Sequence, residues 1–347
     1  MRILMTGATG TVGIPLFRKL KEQGHHIFCL VRSMDGKVAI DRFEEIMGEA
    51  CNCGIVEGDI TQVNCGLNDT SLELLKAFRP DVALHVAADV RMDSKREAEV
   101  RTANISGTVN VLALARTLGI RNIHYISTAY VENGKCNVYE ISKAEAENVV
   151  RDSGLNYTIS RISIVVGDYR SGVISGFTGY YGFFMPFVRM ARSIRAANGI
   201  AAAKPVRIPV TIKVLDTAKL NLIPIDWAAK MLAKITLRPA SNRTLLVTHP
   251  NPPLTVDVIR DTLFKLNIKG VRVGSETISI ELDQSHDQEI YNRVMQIFEP
   301  YVTKPTVFDG RGLREFLGEE YEEPPEFDRE TFGRLINYAL AVNFGKK

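Results

Sequence analysis

The chain has 347 residues, 45% hydrophobic and 24% charged, with a formal net charge of +3, five cysteines and one tryptophan. That make-up belongs to a globular protein of one large or two average domains with a substantial core, and it excludes collagen-like, disordered and coiled-coil classes. A charge of +3 without any run of five or six like charges excludes the basic field of a nucleic-acid binder.

From the N-terminus, strand and helix signals alternate. Arg2 to Met5 is a short apolar run that leads into a glycine-rich turn, followed by Val12, Leu16 and Leu20 at helical spacing and Gly24 as a stop. His26 to Val31 is the next strand, and Gly54 to Glu57, Val82 to Ala87, Asn122 to Ser127 and Tyr157 to Val166 are further strand-like runs. Helical patterns lie between them over Ser71 to Phe78, Glu97 to Leu118 and Val138 to Asp152. Such alternation implies parallel strands joined by right-handed crossovers, hence a doubly wound α/β sheet. After Gly167 the rhythm breaks: residues 168–200 are rich in glycine, arginine and aromatics and have little periodicity. Apolar runs resume at Val206 to Leu215 and Leu245 to Val247, with helical patterns near Asp226, over Thr255 to Leu266 and over Asp328 to Phe344. The sequence therefore predicts a first domain over 1–167 and a smaller cap over 168–347 that returns strands to the sheet.

The first residues lack the pattern of a secretory signal, and no run reaches the ~18 apolar residues of a membrane-spanning helix. Cys29, Cys51, Cys53, Cys65 and Cys136 are odd in number and irregularly spaced, which predicts reduced thiols in a cytoplasmic protein. The six histidines, His25, His26, His85, His124, His249 and His286, show no ligand spacing, and no metal is assigned.

Three groups of residues carry chemistry. Thr6-Gly7-Ala8-Thr9-Gly10-Thr11-Val12-Gly13 places GxxGxxG between a strand and a helix, where glycine lets the backbone approach a pyrophosphate at the helix N-terminus. At the end of the second strand stands Val31-Arg32-Ser33, with no acid for a ribose 2′-hydroxyl; Arg32, with Arg42 as a second contact, suits the 2′-phosphate of NADP(H). Asp59 and Ile60, after the third strand, are placed for the adenine, although Asp59 equally suits a turn or cap. The third group is Thr128 at a strand end, with Tyr139 and Lys143 four apart on one helical face, where an ammonium can lower the tyrosine pKa.

In combination these motifs resemble the extended short-chain dehydrogenase/reductases, whose likeness covers the first half of the chain. The resemblance implies a Rossmann fold with a substrate-binding cap, pyrophosphate held at Gly7, Gly10 and Gly13, and His85, Val86, Ala87 and Ala88 beside the cofactor. It makes Thr128, Tyr139 and Lys143 the catalytic set, with Lys143 also binding the nicotinamide ribose, has Asn104 brace the lysine region, and places Arg161 to Gly167, including Ile164, beside the nicotinamide. Ile162 stands where the family has proline. Within the superfamily, Leu30-Val31-Arg32, Ile126 to Val131 and Ile223 to Ala228 are similar to the fatty acyl-CoA reductase and thioester reductase branch. That likeness implies NADPH-dependent reduction of an acyl thioester, delivered in trans on coenzyme A or a carrier, to aldehyde or alcohol. A ketone or aldehyde reductase, a nucleotide-sugar epimerase or dehydratase, and a non-catalytic NADP sensor are the alternatives. Phe177 to Phe187 either lines an acyl tunnel or packs as core, and Arg189, Arg192 and Arg195 either meet substrate phosphates or form a solvated face.

Overall fold

The computed structural model describes residues 1–48, 53–132, 136–201, 203–274, 289, 292 and 295–345; Cys51 and His286 lie outside them. The chain forms two compact units: Met1–Ser163, Asp226–Thr248 and Gly310–Glu322 make the first, and Ile164–Ile225, His249–Asp309 and Glu323–Lys347 the second.

In chain order the strands begin with β1 (Arg2–Thr6), β2 (His26–Val31), β3 (Gly54–Glu57), β4 (Val82–His85), β5 (Asn122–Thr128) and β6 (Asn156–Ile162). Next come β7 (Ile164–Val166), β8 (Val206–Arg207), β9 (Thr211–Lys213), β10 (Leu222–Pro224), β11 (Arg243–Val247), β12 (Ile268–Lys269) and β13 (Arg272–Gly274). The helices used below are α1 (Gly13–Glu22), α2 (Ala39–Met47), α3 (Asp69–Phe78), α4 (Glu97–Arg101), α5 (Gly107–Thr117), α6 (Val138–Arg151), α7 (Tyr180–Asn198), α8 (Ile225–Thr236) and α9 (Thr255–Lys265).

The first unit is built on a seven-stranded sheet of order β11-β6-β5-β4-β1-β2-β3. Every pair in it is parallel, as βαβ crossovers require. Parallel strands covered on both faces read as unbroken apolar runs, which is why Ile3-Leu4-Met5 and Val82-Ala83-Leu84 are buried throughout. On one face Leu4, Ala83, Ile123, Tyr125 and Ile159 pack with Val111, Leu112 and Ala115 of α5 and with Ala146 and Val150 of α6. Each leucine, isoleucine and valine among them contributes about 1.5–3 kcal/mol on burial, and together these side chains fix α5 and α6 on the sheet. The second unit holds three small parallel pairs, β7 with β10, β8 with β12 and β9 with β13.

Two local readings change. The run Tyr157 to Val166 is divided: the Ser163 amide donates to Val247 O, the next amide, of Ile164, to Asn221 O, and the chain exchanges partners there. Residues 168–200 hold a long helix: Tyr180–Asn198 is helical through Pro186. Its buried residues Tyr180, Phe184, Phe187, Val188 and Ala191 fall at three- to four-residue spacing, and this stripe outweighs the missing proline N–H.

Candidate active site

The glycine turn needs its glycines for space. Gly7 has φ +72°, and a Cβ there would lie 2.4 Å from the Ala87 nitrogen. A Cβ on Gly13 would lie 1.9 Å from Gly7 O, so the turn closes directly onto the start of α1. The Gly10 amide donates to Gly7 O at 3.0 Å and the Ile14 amide to Gly10 O at 3.0 Å. Val12, at the N-cap, offers no side-chain acceptor, and the first turn of α1 contains no acid. Thr9, Thr11 and Val12 are half-buried on the turn and Gly10 is exposed. A glycine cradle before an uncapped, acid-free helix start fits the pyrophosphate of a dinucleotide.

The ends of β2 to β4 frame the rest of that groove. Arg42 Nη1 donates to Arg32 O at 3.1 Å, bringing two guanidinium side chains to the end of β2. Burial and the neighbouring Arg32 charge lower the proton affinity of Arg42. Among the described residues neither arginine has a carboxylate within ion-pair distance. Asp59 takes its turn role: its Oδ1 accepts from Thr61 N and Thr61 Oγ1, each at 2.9 Å. Ile60 lies against Gly107, whose added Cβ would meet Ile60 Cδ1 at 2.9 Å. The Ala87 amide donates to Thr6 Oγ1 at 3.3 Å, which ties β1 to the segment after β4, while Ala88 is exposed.

Thr128, at the end of β5, is buried, and its Oγ1 accepts from the Tyr130 amide at 3.3 Å. Asn137 caps α6 by accepting from the Glu140 amide at 3.0 Å, which places Tyr139 and Lys143 on the first two turns. Lys143 is 1% exposed; its Nζ donates to Ile126 O at 2.7 Å and lies 4.0 Å from the Tyr125 ring centroid. Burial holds its amine down to about 7, against the opposing pull of Glu147. Tyr139 is half-buried, and its phenol is pushed above the ordinary range by burial and by the Glu140 carboxylate. The expected lowering by an adjacent ammonium is thus not the dominant effect, because burial of the phenol itself raises it.

Asn104 sits in a π-helical turn, Thr102–Ser106, between α4 and α5. Its amide donates to Asp89 O and Ser142 Oγ, both at 2.9 Å, and its Oδ1 accepts from the Asp89 amide at 2.7 Å. It therefore pins the loop after β4 to the helix of Tyr139 and Lys143. His85 is fully buried and bridges Thr6 Oγ1, at 2.7 Å, to Thr108 Oγ1, at 3.1 Å. Burial, with the neighbouring Lys143, pushes it down to about 3, so it is neutral.

Some groups at the site escape a reading of the sequence. Glu147, four residues after Lys143 and 1% exposed, accepts from Arg161 Nε at 2.9 Å, Arg161 Nη2 at 2.7 Å and Arg151 Nη2 at 2.7 Å. The i,i+4 spacing of Glu147 and Arg151 is a local signal of this network, whereas Arg161 lies fourteen residues on. Arg161 lies within β6 and also pairs with Glu132, so its guanidinium is committed to carboxylates. Ile164 falls in β7 of the second unit. There the aromatic stretch is core: Tyr180, Tyr181, Phe184 and Phe187 are at most 1% exposed, and Tyr181 Oη accepts from the Gly167 amide at 2.9 Å.

A parallel sheet with a glycine turn after β1, and a Tyr–Lys pair on the helix after β5, define an extended short-chain dehydrogenase/reductase with a nicotinamide-dinucleotide fold. The NAD-binding family model described as male sterility protein matches residues 5–137 and 132–232, and the chain belongs to that family. It is 26% identical over 239 residues to fatty acyl-CoA reductase wat of Drosophila melanogaster, covering 52% of this chain and 46% of that one. The match thus spans about half of that relative's length. The terminal R domain of the myxalamid PKS-NRPS pathway superposes with TM-score 0.77 at 22% identity, covering 99% of this chain and 91% of that one. The Bordetella bronchiseptica enzyme WbmG, solved in complex with NAD, gives TM-score 0.62 at 17% identity, covering 99% and 95%. Among the described residues no helix is long and apolar enough to cross a membrane.

Proposed function

We propose that the chain is an NADPH-dependent reductase of acyl thioesters, taking an acyl group delivered in trans on coenzyme A or a carrier. The observation that carries this is the Thr128, Tyr139 and Lys143 set on β5 and α6 in a chain of the male sterility family. Its likeness to a fatty acyl-CoA reductase and to a synthetase R domain supports the thioester. The paired Arg32 and Arg42 support a 2′-phosphate, and so NADPH over NADH.

A dinucleotide held at Gly7, Gly10 and Gly13 with Arg32 and Arg42 would supply hydride to the thioester carbonyl carbon, and the hemithioacetal so formed would release its thiol to give the aldehyde. As charge gathers on the carbonyl oxygen, Thr128 Oγ1 donates a hydrogen bond to it and Tyr139 Oη gives it a proton. A phenol held above its ordinary range is protonated at neutral pH, the form a reductase needs at that atom. Lys143, with an amine near 7, is matched to exchange protons at the working pH and to replenish Tyr139. Asn104 and His85 act at one remove, fixing α6 and the strand ends.

Oxidation of NADPH is followed with a panel of acyl-CoA and acyl-carrier substrates, detecting aldehyde or alcohol, with Tyr139→Phe as control. Turnover that disappears in Tyr139→Phe is expected. Absence of turnover with every thioester overturns the assignment, and tightly retained NAD with epimerisation of a nucleotide sugar replaces it.

A further inference from the structure

The guanidinium of Arg161 is spent on carboxylates, and those carboxylates belong to the two segments that carry the catalytic set. All three of its nitrogens donate: Nε to Glu147 Oε1 at 2.9 Å, Nη2 to Glu147 Oε2 at 2.7 Å, and Nη1 to Glu132 Oε1 at 2.5 Å. A planar fork can hold two carboxylates at fixed angles in this way, whereas an ammonium on a flexible stem cannot.

Each carboxylate stands a few residues along the chain from a reacting group. Tyr139, Lys143 and Glu147 follow one another at four-residue steps on α6, so they share one stripe of the helix. Glu147 is 1% exposed, and fastening it at both oxygens fixes how that stripe is turned toward the sheet. Glu132 ends the 3₁₀ turn Ala129–Glu132, which follows Thr128 directly. Within that turn the Tyr130 amide donates to Thr128 Oγ1 at 3.3 Å. Strand register sets Arg161 opposite Ser127, so its side chain starts beside the strand end that it braces. The bond of Lys143 Nζ to Ile126 O ties α6 to β5 further back and does not reach the turn.

We propose that Arg161 is a positioning residue for the reaction: through Glu132 and Glu147 it sets the separation of Thr128 Oγ1 and Tyr139 Oη. This rests on the reading that both hydroxyls act on one substrate oxygen. Displacing a reacting group by about 1 Å can cost about a hundredfold in rate, so a loosened turn or a rotated α6 acts on kcat. The glycine turn and Arg32 follow β1 and β2 and make none of these contacts, so cofactor affinity stays as it is.

Two variants of the full chain test this. Arg161→Lys keeps the charge and removes the fork, and Glu132→Gln changes an exposed group while sparing the buried Arg161–Glu147 pair. Native-state hydrogen exchange reads the Tyr130 amide, and steady-state kinetics with NADPH and an acyl thioester read kcat and KM. Both variants are expected to speed exchange at Tyr130 about tenfold relative to the Ile123 and Tyr125 amides of β5. Both should lower kcat about tenfold and leave the KM for NADPH within about twofold. In a Thr128→Val background, which has no hydroxyl left to misplace, Glu132→Gln should cost little further kcat. A brace that serves stability alone would lower the unfolding midpoint and leave kcat of the folded enzyme unchanged. Unchanged exchange at Tyr130 in Glu132→Gln, a kcat that does not fall, or an equal loss in the Thr128→Val background overturns the proposal. Absence of wild-type turnover with every thioester would overturn the thioester reading instead, and the exchange of Tyr130 would still decide for or against Arg161.

Discussion

The burial of Lys143 sets what the candidate active site costs the fold. Its amine is held at about 7 rather than the ordinary 10.5 because it is buried. At about 1.4 kcal/mol per tenfold in proton affinity, keeping that site buried costs folding about 4–5 kcal/mol near pH 7. Between pH 7 and 10.5 the unfolded chain binds the proton and the folded chain does not, so this contribution makes stability rise with pH. Below pH 7 both states bind it and the contribution is constant. Lys143→Met removes it, so the variant should be inactive and more stable than wild type at pH 7, less about 1 kcal/mol for the lost bond to Ile126 O. Its advantage should shrink by about 2–3 kcal/mol between pH 7 and 9.5. Urea unfolding of both proteins across that interval reads the difference, and groups common to both cancel. A stability gap that stays constant from pH 7 to 9.5 would refute the reasoning.

The remaining expectations follow from contacts already described. Glu147→Ala leaves the Arg161 guanidinium, 16% exposed, without its bidentate partner and should destabilise by about 3–5 kcal/mol in urea unfolding; a loss below about 1 kcal/mol would show that the network is not holding α6 to β6. Gly7→Ala forces a Cβ to 2.4 Å from the Ala87 nitrogen at positive φ, so NADPH binding read by fluorescence quenching should be lost while far-ultraviolet dichroism remains native-like. Arg32→Ala should raise the KM for NADPH about tenfold or more with the KM for NADH nearly unchanged; equal effects on the two cofactors would remove the phosphate role from Arg32.

What the sequence reveals here depends on how local the cause is. The strands of a doubly covered parallel sheet are short apolar runs, so β2 and β3 are found with their bounds. The glycine turn and the Tyr139–Lys143 spacing are likewise complete within a few residues. Helix α7 is hidden because Gly182 and Pro186 break the local signal while the buried stripe that sustains the helix is an affair of tertiary packing. The hydrogen bonds of His85 join residues 79 and 23 positions away, Thr6 brought there by the register of β1 with β4 and Thr108 by the packing of α5. Spacing also placed Tyr139 and Lys143 on one face without revealing how deeply the lysine is buried, and it is burial that sets its proton affinity.

The order of the main sheet bears on how the chain is made. Strand β6 ends at Ile162, and its outer neighbour β11 runs from Arg243 to Val247. On a ribosome adding about 5–20 residues per second, roughly 4–17 s separate the appearance of the two. During that interval β6 is an open edge, with a row of unpaired amides and carbonyls of the kind that recruits strands from other chains. Arg161, next to the C-terminal end of that edge, can already pair with Glu147 and Glu132 from earlier chain. The ion pairs of Arg161 with Glu147 and Glu132 use only chain that precedes β11, so α6 and β6 can be joined before the sheet is closed.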